Sequence, residues 1–305
     1  MCTVISSAGA PHVRVGHQIF SFFFALLAAV TIVGCSSDEA LNPPLPVTPE
    51  LVSRGAQLVN GLASCGFCHS LGGKTDALLS GGRVLQDNEG EVITPNISLA
   101  KSGIRGWKES DMLRLFREYV RPDGTEISKE SHVGFEWMSD TDISGITSYI
   151  RTLPPGEHEV PRRDASFLPN PAAIFSSTRS VKGYVPAIQP KYPAAYGQYL
   201  ADHVARCGAC HNTPSGLLSS EQYWGGGKEI TLDGETKVAP NITTSKITGI
   251  GDWSEREVKT YLTTGRIKDG RQVDTNFCPI PYYRNASETD LNALIAYIRS
   301  VPSLD

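Results

Sequence analysis

The sequence lacks an excess of basic residues. Its 305 residues include 28 Lys and Arg and 32 Asp and Glu, so the formal net charge is -4 at pH 7. Proteins that bind nucleic acid, or anionic lipid through charge alone, carry a basic patch that this composition does not offer. We therefore expect no nucleic-acid partner.

Recognisable enzyme motifs are also missing. The sequence contains no catalytic triad, no nucleotide-binding phosphate loop and no pair of carboxylates at a spacing typical of acid–base catalysis. Its length is sufficient for two domains of ordinary size, and its apolar and charged fractions are those of a globular protein. The chemistry must therefore be sought in other motifs.

The sequence also lacks a hydrophobic segment long enough to span a membrane. The apolar run from Ile19 to Val33 is shorter than the roughly 20 residues that a transmembrane helix needs. It follows Arg14 and His17 and ends in small residues before Cys35, which is typical of an export signal.

This segment resembles a bacterial lipoprotein signal, in which Cys35 becomes the acylated N-terminus. An uncleaved anchor helix is the alternative. We predict a signal over residues 1–35 and a flexible tether over residues 36–49. Both interpretations place the folded chain at the periplasmic face of a bacterial membrane. The inner and the outer membrane are alternatives between which the sequence does not decide.

The most informative feature of the sequence is an internal repeat. Residues 65–69, Cys-Gly-Phe-Cys-His, return at 207–211 as Cys-Gly-Ala-Cys-His. Other matches follow in the same order: Pro-Asn-Ile at 95–97 and 240–242, Trp at 107 and 253, Asp-Gly at 123–124 and 269–270, and Tyr-Ile-Arg at 149–151 and 297–299. The repeat predicts two homologous domains, 50–155 and 193–305, joined by a proline-rich linker over 156–192.

Helical periodicity is the secondary-structure signal in both copies. Helices are expected to lead into each cysteine motif and to follow each tryptophan. Ser139 and Ser287 are candidate N-caps of the last helix in each copy, and Pro154 and Pro302 lie beyond the ends of these helices. This pattern predicts an all-α protein.

Cys-x-x-Cys-His is the attachment pattern for a c-type haem. The two thiols form thioethers to the haem, and the adjoining histidine binds the iron. A bare Cys-x-x-Cys also occurs in redox disulfides and zinc sites, but a zinc site needs further ligands that the nearby chain does not supply. We therefore predict two haem c groups, at Cys65, Cys68 and His69 and at Cys207, Cys210 and His211.

Both copies resemble class I cytochrome c domains, and the order of their motifs is similar to that of the cytochrome c subunits of bacterial membrane-associated dehydrogenases. The resemblance covers residues 50–155 and 193–303. It implies two tandem class I cytochrome c domains in which the first and last helices cross, with Gly55 against Tyr149 and Gly197 against Tyr297. It also implies haem-edge or propionate contacts for four residues: Trp107, Trp253, Asn96 and Asn241.

The second iron ligand departs from the family pattern. Relatives usually supply a methionine in a Met-Pro pair before the last helix, and this sequence has no such pair. His132 and Cys278 occupy the corresponding positions, so we predict His132 as distal ligand of the first haem and Cys278 of the second. Met138 is the alternative for the first haem, and a buried free thiol at Cys278 with a vacant distal position is the alternative for the second.

The expected function is one-electron transfer. Histidine and thiolate ligands stabilise ferric iron more than methionine does, so both haems should have low potentials. The resemblance implies a membrane or periplasmic dehydrogenase as donor and another redox protein as acceptor, with no catalytic residue in this chain. A dihaem enzyme, similar to a thiosulfate dehydrogenase or a peroxidase, is the alternative.

Overall fold

The computed structural model describes residues 45–75, 78–87, 90–163, 180–215 and 220–305. The predicted signal and the predicted lipidation residue Cys35 lie outside these residues. Within the described ranges, no helix has the length and apolar character needed to cross a membrane.

Among the described residues, each half of the chain has five α-helices in the same order. Those of the first half are α1 (Pro49–Val59), α2 (Cys65–His69), α3 (Glu109–Glu118), α4 (Lys129–His132) and α5 (Asp140–Ile150). Those of the second half are α6 (Pro193–Tyr199), α7 (Cys207–His211), α8 (Glu255–Thr264), α9 (Ile280–Tyr283) and α10 (Glu288–Ile298). A π-helical turn, Leu200–Val204, continues α6 towards the second cysteine motif.

The predicted caps of the last helices are confirmed. The Ser139 side chain accepts a hydrogen bond from the backbone N–H of Asp142, and that of Ser287 accepts one from Asp290. Each cap thus satisfies one of the N–H groups that a helix start leaves without a helical partner. The acidic residues of these first turns also interact favourably with the positive end of the helix dipole.

In each half the first helix crosses the last helix at a glycine. A Cβ atom at Gly55 would clash with the α5 backbone and lie 2.9 Å from the Tyr149 Cβ. A Cβ atom at Gly197 would clash with the α10 backbone and lie 2.8 Å from the Tyr297 Cβ. The predicted glycine–tyrosine contacts are therefore confirmed, and they let the helices approach to backbone contact.

The all-α prediction is wrong, because the halves share a four-stranded antiparallel sheet. Its strands are β1 (Val84–Asp87), β2 (Gly90–Ile93), β3 (Glu229–Leu232) and β4 (Glu235–Val238), in the order β2-β1-β3-β4. The protein therefore combines helices and strands, with one β-hairpin contributed by each half.

Local chemistry explains the second hairpin. Asp233 and Gly234 connect β3 to β4 with φ values of 51° and 83°. Two positive φ values in a two-residue loop match the twist of antiparallel strands, and Asp-Gly adopts them readily. The Asp-Gly pair predicts this hairpin from sequence, but strands of four residues are easily missed beside long helical patterns.

The sheet joins the two halves of the chain. Leu85 of β1 pairs with Leu232 of β3, and the Asp233 N–H donates to the Val84 carbonyl at 2.9 Å. The Arg83 guanidinium pairs with the Asp233 carboxylate, also at 2.9 Å. An isolated two-stranded hairpin is only marginally stable in water, so each hairpin gains stability from the other half.

The described parts of the linker lie against the first half. The Asn96 amide donates to the Gly156 carbonyl at 2.7 Å, and the Val181 N–H donates to the Arg117 carbonyl at 3.1 Å. The linker therefore contributes contacts to the first half, while the division into domains 50–155 and 193–305 stays a prediction.

A buried ion-pair cluster also connects the halves. Arg54 of α1 donates to Asp142 at 2.9 Å and to Asp290 at 2.7 Å, so one guanidinium neutralises a carboxylate from each half. Two tyrosines of α6 complete the cluster, since Tyr199 donates to Asp142 at 2.6 Å and Tyr196 donates to Asp290. Both carboxylates are largely buried, with 9% and 6% of their side chains exposed.

We predict that Arg54→Met destabilises the protein by about 3–5 kcal/mol, because it leaves two buried carboxylates without their cation. Urea unfolding of the holoprotein measures this free energy. Arg114→Met is the control, since the exposed Arg114–Glu118 pair should contribute only about 0.3–0.5 kcal/mol. Equal urea midpoints for the two variants would contradict the prediction.

Candidate functional site

The two cysteine motifs form short helices of the same geometry. Each five-residue helix is preceded by a residue in the left-handed region, Ser64 with φ 43° and Arg206 with φ 51°. This bend turns the chain sharply from the incoming helix, so that both cysteines and the histidine follow within one turn. The motif residues of both halves are thereby presented in equivalent ways.

The motif cysteines and Cys278 are partly buried thiols with no disulfide partner among the described residues. These free cysteines are Cys65, Cys68, Cys207, Cys210 and Cys278. Burial raises the pKa of Cys65 to about 12 and raises that of Cys207 further. A redox-active Cys-x-x-Cys pair needs a lowered pKa, because the thiolate is its nucleophile. These thiols therefore do not resemble a disulfide exchange site.

The zinc interpretation also finds no support. Among the residues that the structure describes, no group of three or more His, Cys, Asp or Glu side chains is arranged to hold a metal ion. A structural zinc site normally needs four such ligands. Two thiols and one imidazole in each motif match the donor set of a haem c group instead.

The motif histidines are oriented by backbone carbonyl groups. His69 Nδ1 lies 2.9 Å from the Pro95 carbonyl oxygen, and His211 Nδ1 lies 2.8 Å from that of Pro240. Because the carbonyl can only accept, Nδ1 must carry the proton, and Nε2 keeps a lone pair available for a metal. Burial also lowers the pKa of both imidazoles, which favours the neutral form that binds metals.

The predicted residues Asn96 and Asn241 lie directly after these prolines. In both cases the amide oxygen accepts a 2.8 Å hydrogen bond from the N–H two residues later, in Ser98 and Thr243. The amide nitrogens donate to carbonyl groups as well, Asn241 to that of Leu304 at 2.6 Å. These bonds brace the turns that carry the proline carbonyls. Contact with a haem stays a prediction for both asparagines.

The predicted tryptophans have different neighbours in the two halves. The Arg162 guanidinium lies 5.0 Å from the ring centroid of Trp107. The ring of Trp253 meets that of Tyr261 edge to face, with centroids 5.8 Å apart. Both tryptophans are partly buried against the core, and their contact with a haem also stays a prediction.

The structure brings His132 close to His69. Their ring centroids are 6.3 Å apart and their planes are inclined by 39°. His132 Nδ1 lies 2.9 Å from the Ser128 carbonyl, which again leaves Nε2 as the atom with a lone pair. Burial, followed by the charges of His69 and Arg206, lowers the pKa of His132 to about 3, so its imidazole is neutral.

Cys278 occupies the corresponding place in the second half. His132 and Cys278 follow equivalent bridges, Val120–Glu126 and Arg266–Gln272, at the same distance along the chain. The structure thus supports the sequence correspondence of the two residues. Burial raises the pKa of Cys278 to about 12, and the nearby Cys210 thiol adds to this rise.

Tyr261 is a neighbour of Cys278 that the sequence analysis did not identify. Its interaction with the Cys278 thiol opposes the rise in the pKa of Cys278. The equivalent position of α3 is Leu115, and both residues provide the carbonyl that closes their helix. A comparison of the two repeats could have found this difference, because only the half with a cysteine carries the tyrosine.

Met138 lies in the hydrophobic core. Its side chain is fully buried, and its N–H donates to the Phe135 carbonyl at 2.9 Å in the turn before α5. This is the packing role expected for an apolar residue at a helix entry.

Three buried side-chain donors have no hydrogen-bond partner among the described residues. They are Nε of Arg117, Nε of Arg206 and the indole Nε1 of Trp224, a fully buried ring stacked on Tyr223 at a centroid distance of 4.7 Å. Buried donors are rarely left without an acceptor.

Comparison with known proteins agrees with the motifs. No protein-family model matches the chain. It is 26% identical over 295 residues to the fructose dehydrogenase cytochrome subunit of Gluconobacter japonicus, covering 92% of this chain and 59% of that one. It is 27% identical over 298 residues to a diheme cytochrome c-type protein of Cereibacter sphaeroides, covering 92% and 97%.

A third relative is the cytochrome c subunit of the quinone alcohol dehydrogenase of Gluconobacter oxydans, 27% identical over 83% of this chain and 55% of the relative. The chain thus spans about three fifths of the length of these dehydrogenase subunits, and nearly all of the diheme protein. The predicted resemblance is confirmed: the relatives of this chain are cytochrome c subunits of bacterial dehydrogenases and a diheme cytochrome c, which implies covalently bound haem c.

Proposed function

We propose that the chain is a dihaem c-type cytochrome that relays single electrons from a dehydrogenase to another redox protein. The observation that carries the proposal is the pair of Cys-x-x-Cys-His helices whose histidines are each held through Nδ1 by a proline carbonyl. Each bound haem would supply an iron that alternates between the ferric and ferrous states. The polypeptide holds the two groups, selects their ligands and limits their contact with water.

In each half the motif residues would act together. Cys65 and Cys68 would hold the first haem through thioethers, and Cys207 and Cys210 the second. His69 and His211 would bind the two irons through Nε2, the nitrogen that the proline carbonyls leave available.

His132 is our candidate for the second ligand of the first haem. The ring centroids of His69 and His132 are 6.3 Å apart, and the Nδ1 contacts of both rings leave Nε2 available, so the two imidazoles would together hold the iron of the first haem. Met138 is the weaker candidate, because its side chain is packed in the apolar core.

Cys278 is our candidate for the second haem. Its correspondence with His132 and its place beside Cys207 and Cys210 support the assignment. The Tyr261 hydroxyl would donate a hydrogen bond to the thiolate and withdraw charge from it. Histidine and thiolate ligands both favour ferric iron, so we expect low potentials for both haems.

The partners are proposed from the relatives. Fructose, alcohol and gluconate dehydrogenases have cytochrome subunits similar to this chain, which supports a dehydrogenase as electron donor and a further redox protein as acceptor. Export, and anchoring through lipid at Cys35 on the periplasmic face of a membrane, complete the proposal. Their sequence signals lie in residues 1–35, outside the described part of the chain.

We expect two haems per chain in the holoprotein. Cys65→Ser together with Cys68→Ser should remove one haem, and Cys207→Ser together with Cys210→Ser the other, because each pair forms the thioethers of its own site. Haem content per chain, measured from the alkaline pyridine absorption spectrum, tests this. Equal haem content in the variants and the wild type would contradict the proposal. Turnover of thiosulfate or peroxide by the wild type would favour a dihaem enzyme instead.

We expect His132→Met and Cys278→Met to act on different haems. Each change should raise one midpoint potential by on the order of 0.1 V, within the roughly 0.8 V that axial ligands span. Potentiometric titration monitored by electron paramagnetic resonance measures both potentials and both ligand sets. An unchanged potential and spectrum in either variant would remove that residue from the ligand set.

Tyr261→Phe should lower the potential of the second haem by on the order of 60–130 mV. A hydrogen bond to a charged group contributes about 1.5–3 kcal/mol, and 1.4 kcal/mol corresponds to about 59 mV for one electron. Its loss leaves more charge on the thiolate and stabilises ferric iron. Tyr283→Phe is the matched control, because Tyr283 is close to Cys278 without sharing a hydrogen bond with it. Equal shifts in both variants would contradict the assigned role.

A further inference from the structure

We propose that Arg206, a residue of the second half, is a positioning residue for His132 in the first half, so that ligation of the first haem depends on the docking of the second half. The inference rests on the proposed function and deepens it. It starts from the segment 128–135, which carries His132 and contacts the second half along its length.

Arg206 reaches this segment from the start of the second cysteine motif. Its guanidinium Nη1 donates to the Ser131 carbonyl at 2.8 Å and to the Val133 carbonyl at 3.3 Å. These two carbonyls flank His132 in the chain. The bonds therefore hold the backbone on both sides of the proposed ligand.

The guanidinium is fixed by a second contact. Its central carbon lies 3.9 Å from the ring centroid of Phe135, which is a short cation–π distance. Hydrogen bonds from a charged donor are stronger than those between neutral groups, and the planar guanidinium can stack and donate at the same time. A lysine at this position would keep the charge but lose part of this geometry.

Two further residues of the second half hold the same segment. His203 Nδ1 lies 3.0 Å from the Gly134 carbonyl, and Lys228 pairs with Glu130 at 3.2 Å. Within the first half, His132 itself is bonded at Nδ1 to the Ser128 carbonyl, one turn earlier in its own segment. The second half thus contacts the segment at both of its ends and on both sides of His132, in addition to the packing of Phe116 from the first half on Phe135.

The second distal segment has a reciprocal contact. Arg83 of the first half donates to the Phe67 carbonyl at 2.6 Å, within its own cysteine motif, and to the Asn276 carbonyl at 2.7 Å, close to Cys278. Lys228 occupies the equivalent position in the repeat, and it donates to the Ala209 carbonyl of its own motif at 2.9 Å while pairing with Glu130. In both halves, a cation therefore ties its own motif to the other half's distal segment.

The repeat also supplies a conservative test variant. Ser64 takes the place of Arg206 in the first half and has the same left-handed backbone, with φ 43° against 51°. Arg206→Ser therefore introduces a side chain that this bend already accommodates in the other copy. Arg206→Lys keeps the charge with a different shape.

The experiment is electron paramagnetic resonance of the oxidised holoprotein, with the signal of the first haem assigned through His132→Met. In Arg206→Ser we expect the low-spin signal of the first haem to give way to a high-spin signal, while the second haem stays low-spin. Added imidazole should restore the low-spin signal, because it can occupy the position that His132 leaves. Lys259→Met, which removes an exposed pair with Glu288 within the second half, should change neither haem.

The possible results separate the two levels of the proposal. Wild-type signals and potentials at the first haem in Arg206→Ser, or a change at the second haem alone, would overturn the positioning role while leaving the dihaem function intact. Arg206→Ser could instead shift the potential of the first haem without changing its spin state, with Arg206→Lys restoring the wild-type potential. This result would show a purely electrostatic role and would also overturn the positioning role. If Arg206→Ser does not fold, Arg206→Lys takes its place as the test variant. The positioning role then requires that Arg206→Lys show a partial high-spin signal of the first haem or rescue of the low-spin signal by imidazole. A wild type without haem would refute the proposed function itself.

Discussion

A buried cluster of charges centred on Arg54 connects the two halves of this protein. Asp142 and Asp290 lie in the first turns of α5 and α10, where the helix dipole favours acidic residues, and docking buries both carboxylates. Arg54 pairs with both of them, while its equivalent in the repeat is a tyrosine. One arginine therefore serves two carboxylates only when α1, α5, α6 and α10 assemble, which couples the stability of each half to the other.

This docking also places the segments that complete the two sites. The segment that carries His132 lies against Arg206, and Asn276, which precedes Cys278, accepts a hydrogen bond from Arg83. The shared antiparallel sheet adds backbone pairing between the halves. In this arrangement the proximal histidine of each site is set by its own half, through a proline carbonyl, and the distal segment is held partly by the other half. Because each distal segment contacts the other half, a change at one haem would affect the other through the contacts of Arg206 and Arg83.

The arrangement suits an electron relay. Cys68 and Cys210 lie near enough for the charge of one to affect the pKa of the other, so the two motifs are neighbours within the folded chain. Fixed imidazoles and packed distal segments would limit rearrangement of the residues that hold a bound haem. The likeness to a diheme cytochrome over almost its full length, and to dehydrogenase cytochrome subunits over part of theirs, is consistent with this design.

The sequence by itself determined the repeat, the two Cys-x-x-Cys-His motifs, the capping serines and the glycines at the helix crossings, because each depends on residues within one short segment or on a direct match between the copies. It did not reveal the shared sheet, since β1 and β3 come from different halves and their pairing is stabilised by contacts distant in sequence. Tertiary structure alone decided that His132 faces His69, that Tyr261 reaches Cys278 and that Arg206 holds a segment of the other half. The physical reason is that hydrogen bonds and ion pairs between distant segments depend on how the halves dock, and docking leaves no local pattern in the chain.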